Sequence, residues 1–211
     1  MNVNKLGKCL MVLGTLMLVT ALALFLYNQL EATQAQKAAD TVIPQLVDQI
    51  QQNEDKPEPL PIVPVAHPDM EHQLEILSDA MKEAEIDGHT YIGYLSIPVL
   101  ELELPIMADW DYPSLRIAPC RYTGTIKGDN LVLMAHNYAR HFGKISTLTV
   151  GDEVLFTDVD GNTTRYQVVA DDILEPQAIE EMTAGLYDLT LFTCTYGGKT
   201  RVTVYCDRVE A

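Results

Sequence analysis

The chain has 211 residues, 47% of them hydrophobic, which is enough for one compact domain plus an appendage and too little for two full domains. Thirty Asp and Glu stand against fourteen Lys and Arg, a formal net charge of -16. That balance repels phosphate backbones and removes the electrostatic attraction on which nucleic-acid binding depends.

The N-terminal stretch "LMVLGTLMLVTALALFLY", residues 10 to 27, is uncharged, and Lys5 and Lys8 lie just before it. About twenty apolar residues rising 1.5 Å each cross a bilayer's hydrocarbon core. The lysines favour a cytoplasmic N-terminus. Residues 1–8 are therefore expected in the cytoplasm, 9–28 as a single-pass anchor in the cell membrane, and the rest beyond it. A cleaved signal peptide competes, since "EATQAQKAAD" offers small residues, but the apolar run is longer than the usual core of such peptides.

Residues 29–87 read as an extracytoplasmic stalk. Its centre, "KPEPLPIVPVAHP", can form neither a helix interior nor a central strand. Further on, Met70, Leu74, Leu77, Met81 and Ala84 recur at spacings of four and three, which predicts an amphipathic helix near 69–86 with a solvated acidic face.

After Gly88 the texture changes to short runs rich in Val, Ile, Tyr and Thr: "YIGYLSIP", "LELELPIM", "NLVLMAH", "EVLFTDVDGNTTRYQVVA", "LTLFTC" and "RVTVYC". The "DGN" at 160 to 162 is a hairpin signal. So many short strands leave exposed edges unless the sheet closes, so residues 88–211 are expected to be mainly β, a closed or nearly closed antiparallel barrel. Short helices are expected near Phe142 to Leu148 and Ala178 to Met182.

Of the four cysteines, Cys9 falls at the inner edge of the anchor, leaving Cys120, Cys194 and Cys206 outside. That odd number leaves at least one thiol unpaired. If "LTLFTC" and "RVTVYC" pair antiparallel through "TYGGKT", Cys194 stands opposite Arg201, and opposed residues share a face. The same register sets Cys206 about five residues down the ladder, roughly 16 Å away, too far for a disulfide. Cys120 has no evident partner and reads as a buried strand-edge thiol.

A guanidinium beside a thiol favours thiolate and can stabilise an oxyanion when sulfur attacks a carbonyl. Arginine cannot take up a proton, so a general acid and base must come from His67, His72, His89, His136 or His141. His136 ends the strand "NLVLMAH", which delivers an imidazole to a barrel rim. A metal set of His136, His141 and Asp129 lacks the CxxC or HExxH spacing of zinc sites. "DVDGN" lacks a complete calcium-loop ligand series and reads as a turn.

These residues carry a resemblance. "TLFTC" at 190 to 194 matches the sortase signature Thr-Leu-x-Thr-Cys, Arg201 follows on the next strand, and "MAHN" and "GDEVLFTDVDGNTTRYQVV" resemble the family's histidine segment and central hairpin. The likeness runs from "YIGYLSIP" to the C-terminus. It implies a sortase-type β-barrel and a cysteine transpeptidase that attaches proteins to the envelope of Gram-positive bacteria. It further implies Cys194 as nucleophile toward an LPxTG-like sorting signal, His136 as acid and base, and Arg201 holding substrate and oxyanion, with Thr193 and Asn137 as weaker contributors. The acceptor would be an amine of a peptidoglycan precursor or a pilin lysine. No cofactor is implied apart from the calcium that some members use.

No long apolar segment follows the domain and no Asp-Pro-aromatic lid precedes the barrel, which argues against the pilus-polymerising class and points to a class B-like or D-like enzyme; "DWDYP" at 109 to 113 reads as a turn, and only six residues separate Cys194 from Arg201, so the loop shaping the groove is small. Residues 171–189 are expected to shape substrate preference. Two other readings stay open. One is a different envelope cysteine peptidase or transpeptidase, although papain-like enzymes carry the thiol on a helix and L,D-transpeptidases use Ser-x-Gly-Cys. The other is a non-catalytic, membrane-tethered β-domain in which Cys194 fills a core.

Overall fold

A computed structural model describes residues 3–54 and 80–209. Helix α1, Val3–Glu54, contains the apolar window Leu10–Tyr27, none of it buried. This is the one helix among the described residues long and apolar enough to cross a membrane.

The helix does not stop at the membrane boundary expected from the sequence. It runs on through Pro44, and its far end buries Val42, Leu46 and Ile50. A spacing of four keeps these three on one face. Val42 and Leu46 pack with Ile86, Tyr91, Met107, Leu115 and Ala118. The first part of the expected stalk is therefore a helical post seated on the domain rather than a spacer. Leu46 is fully buried, so Leu46→Ala should destabilise the domain by about 2–4 kcal/mol. Thermal unfolding of the full chain in detergent reads this, and an unchanged Tm would mean the post carries no stability.

The amphipathic helix expected near 69–86 is corrected where it can be compared. Residues 69–79 lie outside the described residues, and Ala84–Ile86 form a strand, β1. Asp87 and Gly88 both have positive φ, 52° and 77°, the signature of a two-residue type I′ turn, and Ile86 pairs with His89 across it. A tight Asp-Gly hairpin here outcompetes the helical period, because pairing satisfies the backbone of all three residues.

The remaining strands are β2 (His89–Ile97), β3 (Leu102–Met107), β4 (Cys120–Thr123), β5 (Leu131–Ala135), β6 (Glu153–Asp158), β7 (Thr163–Leu174), β8 (Leu189–Cys194) and β9 (Arg201–Arg208). Their order is β1-β2-β3-β4-β5-β8-β9-β7-β6, and β6 pairs back onto β2. Eight strands thus close into a barrel, with β1 added beside β2. At the seam Gly93 pairs with Asp158, and a side chain at Gly93 would overlap the Thr157 carbonyl oxygen. Leu95, Ile106, Leu133, Phe156, Leu191 and Val204 are among the residues filling the interior.

The barrel is not wholly antiparallel, as the sequence reading expected. β3 with β4 and β5 with β8 are parallel. The chain between β5 and β8 includes the β6–β7 hairpin, so β8 returns in the direction of β5. The hairpin turn follows the sequence signal: Asp158 Oδ1 accepts from the backbone N–H groups of Asp160 and Asn162, both at 2.9 Å. Short helices α2 (Tyr112–Ile117) and α3 (Ile179–Thr183) and a 3-10 turn (Phe142–Thr147) complete the domain.

Candidate active site

Strand alternation decides which side chains meet. On β5, Leu131, Leu133 and Ala135 face the barrel interior while Val132 and Met134 face outward. On β8, Leu189 and Leu191 face inward and Phe192 outward. Ala135 pairs with Thr193 in the parallel ladder. One residue beyond this last pair come His136, just past the end of β5, and Cys194, the last residue of β8, and both line the same groove as the outward-facing Met134 and Phe192. From β9, Arg201 pairs directly with Cys194. The register expected from the sequence is present, with Val204 and Cys206 facing the interior.

Imidazole, thiol and guanidinium line one groove of about 210 Å³. Its walls are aromatic: Trp110 stacks on Tyr122 at 5.7 Å, and Tyr122 meets Phe192 edge-on at 5.4 Å. Cys194 is half-buried in this groove, so it does not fill a core. Cys120 and Cys206, free like Cys194, are buried. Burial pushes the thiols of Cys120 and Cys206 up to about 12.

The guanidinium is anchored to its own turn. Arg201 Nη1 donates to the carbonyls of Gly198 at 3.2 Å and Thr200 at 3.1 Å. The turn is closed by Thr195 N–H donating to the Thr200 carbonyl at 3.0 Å, and Gly197 and Gly198 supply the left-handed φ values of 87° and 73° that it needs.

The weaker candidates sit differently. Thr193 Oγ1 donates to the Ala135 carbonyl at 2.8 Å in a buried position. Its hydroxyl proton is committed there, so Thr193 braces β8 against β5 directly beneath His136 and Cys194. Asn137 Nδ2 donates to the Thr195 carbonyl at 3.4 Å, tying the histidine loop to the β8–β9 turn.

The loop after His136 folds tightly. Phe142 N–H donates to the His136 carbonyl at 3.2 Å, and Gly143 N–H to the Tyr138 carbonyl at 2.9 Å. A Cβ on Gly143 would lie 2.6 Å from the carbonyl oxygens of both Asn137 and Tyr138, so only glycine fits. Tyr138 stacks on His136 at 4.8 Å and lies 5.5 Å from His141. His141 is fully buried, and neither ring nitrogen makes a hydrogen bond, although the Ile117 backbone lies beside the ring. Burial first, and His136 second, push its pKa down to about 4. Asp129 pairs with Arg208 at 2.6 Å, so His136, His141 and Asp129 do not converge. Among the described residues no three His, Cys, Asp or Glu are grouped to hold a metal ion. His67 and His72 lie outside the described residues, and His89 opens β2.

Trp110 and Tyr112 are groove residues that the sequence reading missed. "DWDYP" was expected as a turn, but after a bend at Asp109 it starts α2, with Tyr112 and Pro113 already helical: Asp111 accepts from Ser114 N–H at 2.6 Å, and those Ser114 contacts hold its carboxyl below the usual range. Cap and aromatics together were the available signal, since an N-cap flanked by two aromatics projects rings at the end of a helix.

Residues 95–209 match the family model of the sortase domain. Solved structures with the same fold include sortase C from Clostridium perfringens SM101, 23% identical over 80% of this chain and 90% of that one, TM-score 0.52. Sortase C1 from Streptococcus suis is 24% identical over 78% and 96%, TM-score 0.54. A Clostridium perfringens sortase D5 transpeptidase is 18% identical over 81% and 99%, TM-score 0.57. No curated protein sequence matches the chain. A barrel that carries its cysteine on a strand end also departs from the helix-borne thiol of papain-like enzymes. With the family model covering more than half of its length and the barrel shared with these enzymes, the chain belongs to the sortase family.

Proposed function

We propose that the protein is a membrane-anchored cysteine transpeptidase that cleaves an LPxTG-like sorting signal and transfers the protein bearing it to an envelope amine. The N-terminal helix holds it in the cell membrane with the barrel outside. Cys194 attacks the carbonyl of the Thr-Gly bond and forms a thioacyl enzyme, dividing one hard acyl transfer into two easier ones. His136 protonates the departing amine and later takes a proton from the incoming one. Arg201 holds the peptide and the developing oxyanion. The chemistry uses only the chain's own side chains. The lack of an Asp-Pro-aromatic lid ahead of the barrel favours a class B-like or D-like enzyme.

The observation that carries this reading is the register: His136 and Cys194 one step past the Ala135–Thr193 pair, with Arg201 opposite the sulfur. The test uses full-length protein in detergent and a panel of LPxTG-like peptides. Intact mass spectrometry should reveal a thioacyl adduct, and hydroxylamine should release a hydroxamate. Both disappear in Cys194→Ala. Cleavage that persists in that variant, or no adduct with any peptide of the panel, rejects the assignment.

A further inference from the structure

His136 is the first residue beyond the β5 ladder, whose last rung is Ala135 with Thr193, and it is half-buried. A partly exposed side chain past the end of a strand ordinarily moves among staggered rotamers. Proton transfer to a departing amine needs one of them, because the donor must lie within hydrogen-bond reach of the nitrogen. The ring that meets the imidazole comes two residues later. Tyr138 stacks on His136 with centroids 4.8 Å apart and planes 28° from parallel. His136 lines the aromatic groove and Tyr138 does not, so the phenol ring touches the imidazole without lining the path of a bound peptide.

Tyr138 is itself held firmly. Its carbonyl accepts from the N–H groups of His141 and Gly143, both at 2.9 Å, and the Gly143 position leaves no room for a Cβ beside that oxygen. Phe142, fully buried, donates its N–H to the His136 carbonyl at 3.2 Å and so closes the segment 136–143 on itself. On the buried side the His141 ring, with no exposure to solvent, meets the phenol ring at 5.5 Å. One end of this closed segment, His141 and Phe142, is thus rooted in the protein interior, and the other carries His136. Tyr138 is the ring in contact with both imidazoles. We propose that Tyr138 is a positioning residue: the flat face of its ring, fastened to the interior through this segment, holds the His136 imidazole in the orientation that serves Cys194. The proposal rests on the transpeptidase reading. It assigns the effect to the ring face and not to the hydroxyl, so phenylalanine should serve equally well, whereas a flexible aliphatic side chain should leave the imidazole free to rotate.

The experiment follows single-turnover thioacyl formation in full-length protein in detergent, with an LPxTG-like peptide varied from below to above half-saturation. Two non-aromatic replacements of different shape, Tyr138→Leu and Tyr138→Met, should each lower the saturating rate about tenfold and leave the half-saturating concentration within about twofold, because the contacts made by the peptide are unchanged. Tyr138→Phe should stay within about twofold of wild type in both quantities. Circular dichroism and thermal unfolding should show the variants folded at the assay temperature. An undiminished saturating rate in a folded non-aromatic variant overturns the assignment, and so does a loss in Tyr138→Phe equal to that in Tyr138→Leu, which would move the effect to the hydroxyl. A change confined to the half-saturating concentration would make Tyr138 a binding residue, and unfolding of both non-aromatic variants would make it a structural one; either result overturns the positioning role. Each of these outcomes leaves the transpeptidase reading standing, whereas absence of any thioacyl enzyme in wild type overturns that reading and the role of Tyr138 with it.

Discussion

Replacing His136 by alanine is expected to lower kcat/KM toward a sorting peptide by about 10²–10⁴-fold without unfolding the barrel. The imidazole stands beside Cys194 because β5 and β8 run parallel with Ala135 opposite Thr193. Among the described residues no second histidine lines the groove. His141 lies in the same loop but is buried against Tyr138 and stays neutral down to about pH 4, so it cannot deliver a proton to the groove.

The companion change is Arg201→Lys. Lysine keeps the positive charge but loses the planar guanidinium, in which Nη1 holds the Gly198 and Thr200 carbonyls while the other donors stay available at the groove. The loss should reach about 10²–10³-fold, as for removal of an oxyanion donor, with Arg201→Ala lower still. Steady-state kinetics with a fluorogenic peptide reads both. A His136→Ala enzyme of wild-type activity would remove the histidine from the mechanism, and full activity in Arg201→Lys would reduce the guanidinium to a point charge.

Acid should destabilise the protein through His141. Its folded-state pKa of about 4 lies below the ordinary imidazole value of 6.5. Between those limits the unfolded chain binds a proton that the folded chain refuses. The stability contributed by the neutral ring is therefore complete above pH 6.5 and is lost as pH falls toward 4. The gap corresponds to on the order of 3 kcal/mol, a large share of a typical domain's stability.

His141→Phe keeps a ring against Tyr138 and removes the titration, along with two buried nitrogens that have no hydrogen-bond partner. Chemical denaturation at pH 7 and at pH 4.5 measures the difference. The loss between these pH values should be smaller in His141→Phe than in wild type, while carboxylates elsewhere contribute equally to both proteins. Parallel losses in the two proteins would rule out His141 as the source.

Much of this site could be read from the chain because its determinants are local. Cys194 and Arg201 are joined by a six-residue turn, so one assumption, a hairpin, sets their register and the side each residue takes. The same locality made the β6–β7 hairpin legible at "DGN". The histidine was harder. Nothing near His136 in sequence says that β5 lies beside β8, and the segment between them includes a complete hairpin. The resemblance to sortases supplied that link, and the parallel ladder supplies its physical basis.

The helical post was missed for a related reason. Val42, Leu46 and Ile50 are spaced by four in a run interrupted by Pro44, a weak signal that becomes a buried stripe only when Ile86, Tyr91 and Met107 are present to receive it. Trp110 and Tyr112 likewise became groove residues only when β4 brought Tyr122 and β8 brought Phe192 alongside.

Alternation of period two, turn residues and the apolar N-terminal run determined by themselves the strands from β2 onward except β4, the Cys194–Arg201 pairing and the candidate membrane span, since each depends on residues close together in the chain. Closure of the barrel decided the rest: which strands run parallel, which aromatic wall faces the sulfur and where the post seats. Those outcomes depend on contacts between segments far apart in the chain, whose cost in loop entropy is recovered only when the whole core is buried, so no single stretch of sequence encodes them.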